Sequence, residues 1–259
     1  MNLQQNFQEL FSVHAIISML TLSVLEIVLG IDNIIFIAII AGKLPERKDQ
    51  RKARAAGLSL ALIMRIALLF SITWVIGLRD PLITVFGFGA TGRDLILFGG
   101  GIFLLVKTTS EIHNKMEGHE EAEISVKKIS FSSIVMQIVL IDIVFSFDSI
   151  LTAVGIVRNP LIMIMGVVIS MIVMLIFSGK VSDFINDHPT IKMLALAFLL
   201  MIGMLLILDA CHQEVPRAYV YSSMGFSLLV EFLNLRMKKK QDLRAKNQDT
   251  RAGNEEPRG

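Results

Sequence analysis

The chain has 259 residues, 53% of them hydrophobic and only 19% charged, with a formal net charge of +2. That balance excludes an ordinary soluble domain, where about a quarter of residues are charged, and a global basic field of the kind that binds nucleic acid. One cysteine, Cys211, excludes an intramolecular disulfide and any multi-cysteine metal site.

No basic region precedes the first apolar run and no small-residue cleavage site follows it, so a removable signal peptide is not expected. Apolar runs of about 18 residues or more read as membrane helices rather than core strands. In chain order they cover residues 14–41, 57–78, 83–106, 131–157, 161–180, 191–209 and 217–235. The expected fold class is therefore all-α, a polytopic membrane protein of about seven transmembrane helices. Residues 1–235 form its membrane domain, and 236–259 a basic cytoplasmic tail that its polar composition leaves disordered.

Orientation follows from the basic residues. With the compact loop Lys43 to Arg54 placed inside and the spans alternating from there, twenty of the twenty-five Lys and Arg residues fall on the cytoplasmic side. The positive-inside rule then puts the N-terminus in the periplasm and the C-terminus in the cytoplasm. Arg65 is the exception, some eight residues into the second span, where snorkelling to the surface is hard. A cation at that depth is a candidate counter-ion for buried acids or a member of a fixed structural pair. The loop after the third span gathers Glu111, His113, Glu117, His119, Glu120, Glu121 and Glu123. Such a cluster could collect metal at the cytoplasmic mouth, although loop charges are more often simply solvated. Trp74, Tyr219 and Tyr221 suit the aromatic belts of a membrane interface.

Two spans repeat one motif at an offset of 116 residues. Leu25-Glu-Ile-Val-Leu-Gly-Ile-Asp-Asn-Ile34 aligns with Ile141-Asp-Ile-Val-Phe-Ser-Phe-Asp-Ser-Ile150, so Glu26 matches Asp142, Asp32 matches Asp148, Gly30 matches Ser146 and Asn33 matches Ser149. A fainter echo joins Gly101–Val106 to Gly203–Leu208. The copies lie three spans apart, which gives the halves opposite orientation: an inverted 3+3 repeat plus one further helix. Transporters built in this way place the site near the midplane, where the halves meet.

Each acid inside a span costs about 2.5–3.5 kcal/mol on insertion scales. Four acids in matching places point to use, against the plainer reading of structural hydrogen bonds or ion pairs with Arg65 or Lys107. In one continuous helix Glu26 and Asp32 would diverge by about 120°. Gly30 between them, with the backbone freedom of glycine, predicts a break there, and the repeat predicts a matching irregularity at Ser146. Glu26 with Asn33, and Asp142 with Ser149, are seven apart and share a helical face. Carboxylate, amide, hydroxyl and carbonyl are all oxygen donors, which suit Mn²⁺, Mg²⁺ or Ca²⁺; no His or Cys lies near to favour zinc or copper.

At these residues the chain resembles a known family. The motifs Glu26–Asn33, Lys107-Thr-Thr-Ser-Glu-Ile-His113 and Asp142–Ser149 are similar to those of the TerC family of bacterial integral membrane proteins, in its short branch without appended cytoplasmic domains. The resemblance runs from about residue 14 to 235 and implies kinship with LysE-type exporters, an inner-membrane location, and links to manganese efflux or tellurite resistance. It makes Glu26, Asp32, Asp142 and Asp148 metal ligands, with Asn33 and Ser149 beside them. The expected function is a secondary transporter exporting divalent cations, with manganese as the leading substrate and proton exchange as a plausible coupling. The alternative is a membrane metal-binding accessory that works beside the secretion machinery, supplying metal to exported proteins or conferring tellurite or stress resistance. No nucleophile–base pair or nucleotide motif calls for an enzyme, and beyond the transported ion no cofactor is expected. Expected partners are the metal ion and the lipid bilayer, not nucleic acid.

Overall fold

The computed structural model describes residues 12–71, 81–85, 88–117, 130–157, 159–213 and 215–254. Eight helices and one hairpin lie among them. In chain order they are α1 (Val13–Leu29), α2 (Ile31–Ala41), α3 (Arg47–Phe70), β1 (Pro81–Val85), β2 (Phe88–Thr91), α4 (Gly92–Met116), α5 (Phe131–Ile156), α6 (Pro160–Asp187), α7 (Pro189–Ala210) and α8 (Arg217–Asn254). The described structure is helical, as the hydropathy pattern predicts.

Three helices, α1, α4 and α6, start where a side chain caps the unpaired N–H groups of the first turn. Ser12 Oγ accepts from Ala15 N at 3.1 Å, and Asn159 Oδ1 from Leu161 N at 3.0 Å. Pro160 and Pro189 open α6 and α7, where proline's missing N–H costs nothing. Thr91 and Asp94 form a reciprocal capping box at the start of α4.

That box marks the largest departure from the hydropathy reading. The third span, expected to begin near residue 83, instead begins as an antiparallel hairpin, with Thr84 opposite Gly89 and Val85 opposite Phe88. Its helix starts only at Gly92 and continues to Met116, past the expected end at 106. The Ile, Val and Phe residues of 82–88 are as apolar in a strand as in a helix, so hydropathy cannot tell the two apart.

By length and apolarity four helices could each cross a membrane: α3, α4, α6 and α7. A fifth span is formed if α1 and α2 cross together, as a pair bent by 41°. In α5 the apolar stretch 131–147 is shorter. The described residues thus account for four or five of the seven expected spans. Large apolar side chains stand exposed along these helices, among them Ile17, Val24, Ile63, Ile172, Ile176 and Met204. Exposure on that scale suits contact with lipid, whereas monomeric soluble proteins rarely show large contiguous apolar patches. The interior holds the reverse: Glu26, Asp32, Asn33, Arg65, Asp142, Ser146 and Ser149 are all buried.

The chain divides into two compact units, Met1–Val215 and Pro216–Gly259. In the first, α4 packs along α7, α3 along α5, and α6 along both α1 and α2. The second unit is α8, which runs beyond Leu235 through the stretch where a disordered tail is expected. Lys, Arg, Gln, Leu and Ala in 236–252 all rank among the better helix formers. Trp74 and residues 118–129, with most of the acidic loop, lie outside the described residues.

Candidate functional site: a buried charge cluster between the two repeats

The first repeat motif is split between two helices. α1 ends at Leu29 and α2 begins at Ile31, so Glu26 sits in the last turn of one and Asp32 in the first turn of the other. A carboxylate in a first turn is favoured by the partial positive charge of that helix end. The expected break at Gly30 is present, but for another reason than unusual backbone angles. Gly30 has φ −82°, open to any residue. Space is the constraint: a Cβ there would overlap Met174 Sδ of α6 and come within 2.9 Å of the Glu26 carbonyl. The matching irregularity at Ser146 is absent, since α5 is helical from Phe131 to Ile156.

Arg65 of α3 joins the two motifs. Its Nη1 donates to Glu26 Oε2 at 2.6 Å, its Nη2 to Asp142 Oδ1 at 3.2 Å, and its Nε to Ser146 Oγ at 2.7 Å. The Ser146 hydroxyl in turn donates to Asp142 Oδ2 at 3.0 Å, and Asn33 Nδ2 donates to Asp142 Oδ1 at 3.2 Å. Both carboxylates are at most 2% exposed, as is the guanidinium. Two matched acids, one from each half, therefore share a single buried cation. Such a cluster survives burial only because nearly every charge meets a partner. Among the described residues, Glu26 Oε1 and Asn33 Oδ1 are buried oxygens with no hydrogen-bond donor.

Three further residues are expected at the site. Asp32 is buried one position before Asn33. Ser149 is buried too, but its hydroxyl turns back to the Ser146 carbonyl at 3.3 Å. The side chain of Asp148 lies outside the described residues. Among the described residues, no three His, Cys, Asp or Glu side chains converge closely enough to hold a metal ion. At the end of the acidic motif, Glu111 is buried and ion-paired with Lys43, while His113 and Glu117 pair along one helix at 3.3 Å.

Two residues here escape sequence reasoning. Ser146 reads as a small counterpart of Gly30, yet it is a hydrogen-bonding member of the cluster. Met174 is singled out by no sequence motif, yet it abuts the break. Matched contacts bring both out. Leu22 packs where Gly166 lacks a side chain, a Cβ there falling 3.0 Å from Leu22 Cδ2; Ile138 fills the same role against Gly57, at 2.7 Å. Leu22 and Ile138 are 116 positions apart, the offset of the acid motifs, and Gly57 and Gly166 are 109 apart. An offset of 109 carries Arg65 onto Met174. Met174 against Gly30 is thus the counterpart of Arg65 against Ser146. Gly101 and Gly203, aligned in the fainter echo, also meet each other: a Cβ on either would lie within 3.2 Å of the other's carbonyl oxygen. Sequence could reveal the Arg65–Met174 match only through an alignment of the second and fifth spans, which share little beyond that glycine.

Comparison with known proteins agrees with the membrane fold. The sequence profile of the integral membrane protein TerC family matches residues 11–246. A UPF0053 protein of Haemophilus influenzae is 46% identical over 235 residues, covering 90% of this chain and 98% of its own. Two inner membrane proteins of Escherichia coli are also similar. YgdQ is 47% identical over 86% of this chain and 93% of its own, and YoaE is 50% identical over 83% of this chain but only 42% of its own. No solved structure matches.

Proposed function

The chain belongs to the integral membrane protein TerC family, and from that membership and the buried cluster we propose that it is a multi-pass inner-membrane transporter exporting divalent cations from the cytoplasm. Manganese is the first substrate to test, and proton exchange the first coupling. One observation carries the reading: Glu26 and Asp142, matched acids from two halves of the chain, are buried around one shared positive charge. A positive charge is what this place is built to hold, and its donors are oxygens, which favour a hard divalent ion.

In the loaded state, Glu26, Asp142 and Asn33 supply the first oxygens. Glu26 Oε1 and Asn33 Oδ1 already lack donors among the described residues. Asp32 and Ser149 complete the set by moving toward the ion, and Asp148 is the further candidate ligand. The 41° bend at Gly30 supports such movement, because a broken span can flex where its two helices meet. The distribution of Lys and Arg supports a periplasmic N-terminus and a cytoplasmic C-terminus.

Proteoliposomes containing this protein alone test the reading. Mn²⁺ should cross in response to its own gradient, and the flux should collapse in Glu26→Gln and in Asp142→Asn. Binding of Mn²⁺ without flux would favour the accessory role in metal supply. Unchanged flux in both folded variants would remove the acids from the site.

A further inference from the structure

Resting on that transport reading, we propose that Arg65 is a tethered competitor of the transported cation: it holds the place between Glu26 and Asp142 while the site is empty and must be displaced before metal can bind there. Position and charge require this. Asp142 Oδ1 receives both Arg65 Nη2 and Asn33 Nδ2, and Asp142 Oδ2 receives Ser146 Oγ. Glu26 Oε2 is taken by Arg65 Nη1. A metal ion bridging Glu26 and Asp142 would stand where the guanidinium now stands, and Asp142 Oδ1, with two donors already, has no lone pair left for it. Two cations against the same carboxylates would also repel strongly in a low-dielectric interior.

The fold supplies the competitor once only. The matched position in the other half carries Met174, which has no charge and packs against Gly30. One guanidinium thus serves both acids, with Nη1 on one half and Nη2 on the other, and its Nε is anchored on Ser146. The empty carrier therefore never exposes two bare buried carboxylates, an arrangement that would be costly in a membrane. An entering divalent ion exchanges with an internal cation rather than filling a void. Its apparent affinity is set by the difference between the two, and return of the guanidinium helps to expel it.

The test measures Mn²⁺ affinity by calorimetry on purified protein, and Mn²⁺ flux in proteoliposomes, for wild type, Arg65→Met, Arg65→Lys and the double variant Arg65→Met/Met174→Arg. Arg65→Met should bind Mn²⁺ at least about tenfold more tightly while transporting it more slowly, since nothing displaces the ion. Mn²⁺ should also raise its melting temperature by more than it raises that of wild type. The double variant, which returns a guanidinium from the matched position, should bring affinity back toward wild type. Should Arg65→Met not fold, Arg65→Lys carries the test: an ammonium lacks the planar fork that spans both carboxylates, so binding should tighten about three-fold or more. Wild-type or weaker affinity in whichever of these two folds overturns the proposal while leaving the transport reading intact. Absence of Mn²⁺ binding in wild type itself overturns both.

Discussion

The same ten-residue motif is built in two ways. In the first half it straddles a 41° bend between Val13–Leu29 and Ile31–Ala41; in the second it lies inside one helix, Phe131–Ile156. The difference traces to one matched pair of positions and what stands opposite each. Gly30 leaves room for Met174, whereas Ser146 presents a hydroxyl to Arg65 and Asp142. The first motif thus has a discontinuous backbone and an apolar neighbour from the second half, Met174, and the second motif a continuous helix and a charged neighbour from the first half, Arg65. Matched motifs decide which residues meet. Local packing decides the backbone that brings them there.

The sharpest way to break this comparison is to neutralise each acid in turn. Asp142 accepts from Arg65, Asn33 and Ser146, while Glu26 accepts from Arg65. Removing one partner of a buried ion pair costs about 3–5 kcal/mol. Asp142→Asn should therefore lower the melting temperature more than Glu26→Gln does, although both should reduce Mn²⁺ flux about a hundredfold or more. An equal or larger stability loss in Glu26→Gln would mean that the charge is centred on Glu26 instead.

A second pair of variants targets the bend itself. Gly30→Ala forces a methyl group onto Met174 and should destabilise by about 1–3 kcal/mol through overpacking. Ser146→Ala needs no extra space but strips Arg65 Nε and Asp142 Oδ2 of a partner, a loss of about 1–3 kcal/mol. The two are separable by their dependence on Met174. Gly30→Ala should couple to Met174→Leu by more than about 0.5 kcal/mol in a double-mutant cycle, and Ser146→Ala should not. A neutral Gly30→Ala would show that the bend does not depend on close approach there.

Much of this was legible in the sequence, and the failures share a cause. Hydropathy located the apolar helices, since lipid-facing side chains must be apolar wherever they fall. The 116-residue repeat brought Glu26 and Asp142 to one place, and the depth of Arg65 marked it for the interior. Hydropathy could not separate the Pro81–Thr91 hairpin from a helix, because both are equally apolar. It also carries no record of close packing, so the reason for Gly30, the role of Ser146 and the match of Met174 to Arg65 emerge only with coordinates. Chemistry that depends on charge was readable, and chemistry that depends on which side chain lies opposite was not.

The smallest predicted effects test whether the two halves share one packing plan beneath their different sites. Gly57 and Gly166 lie on matched helices, and each receives a branched side chain: Ile138 on Gly57 and Leu22 on Gly166. Neither glycine takes part in the charge cluster, so substitution there reports on packing alone. Gly57→Ala and Gly166→Ala should each destabilise by about 1–2 kcal/mol, because a methyl group must push aside a close-packed neighbour. The larger loss should fall at Gly57, where the approach is 2.7 Å against 3.0 Å. Trimming the facing residue should relieve each at its own contact only: Ile138→Val should offset part of Gly57→Ala, and Leu22→Val part of Gly166→Ala. The crossed combinations should simply add, as independent sites do. Thermal unfolding of the four single and four double variants in one detergent measures all of this. Relief confined to the matched partners would extend the repeat from the acid motifs to the helices that carry them. Additive behaviour in every combination would limit the likeness of the two halves to the ten residues around their acids.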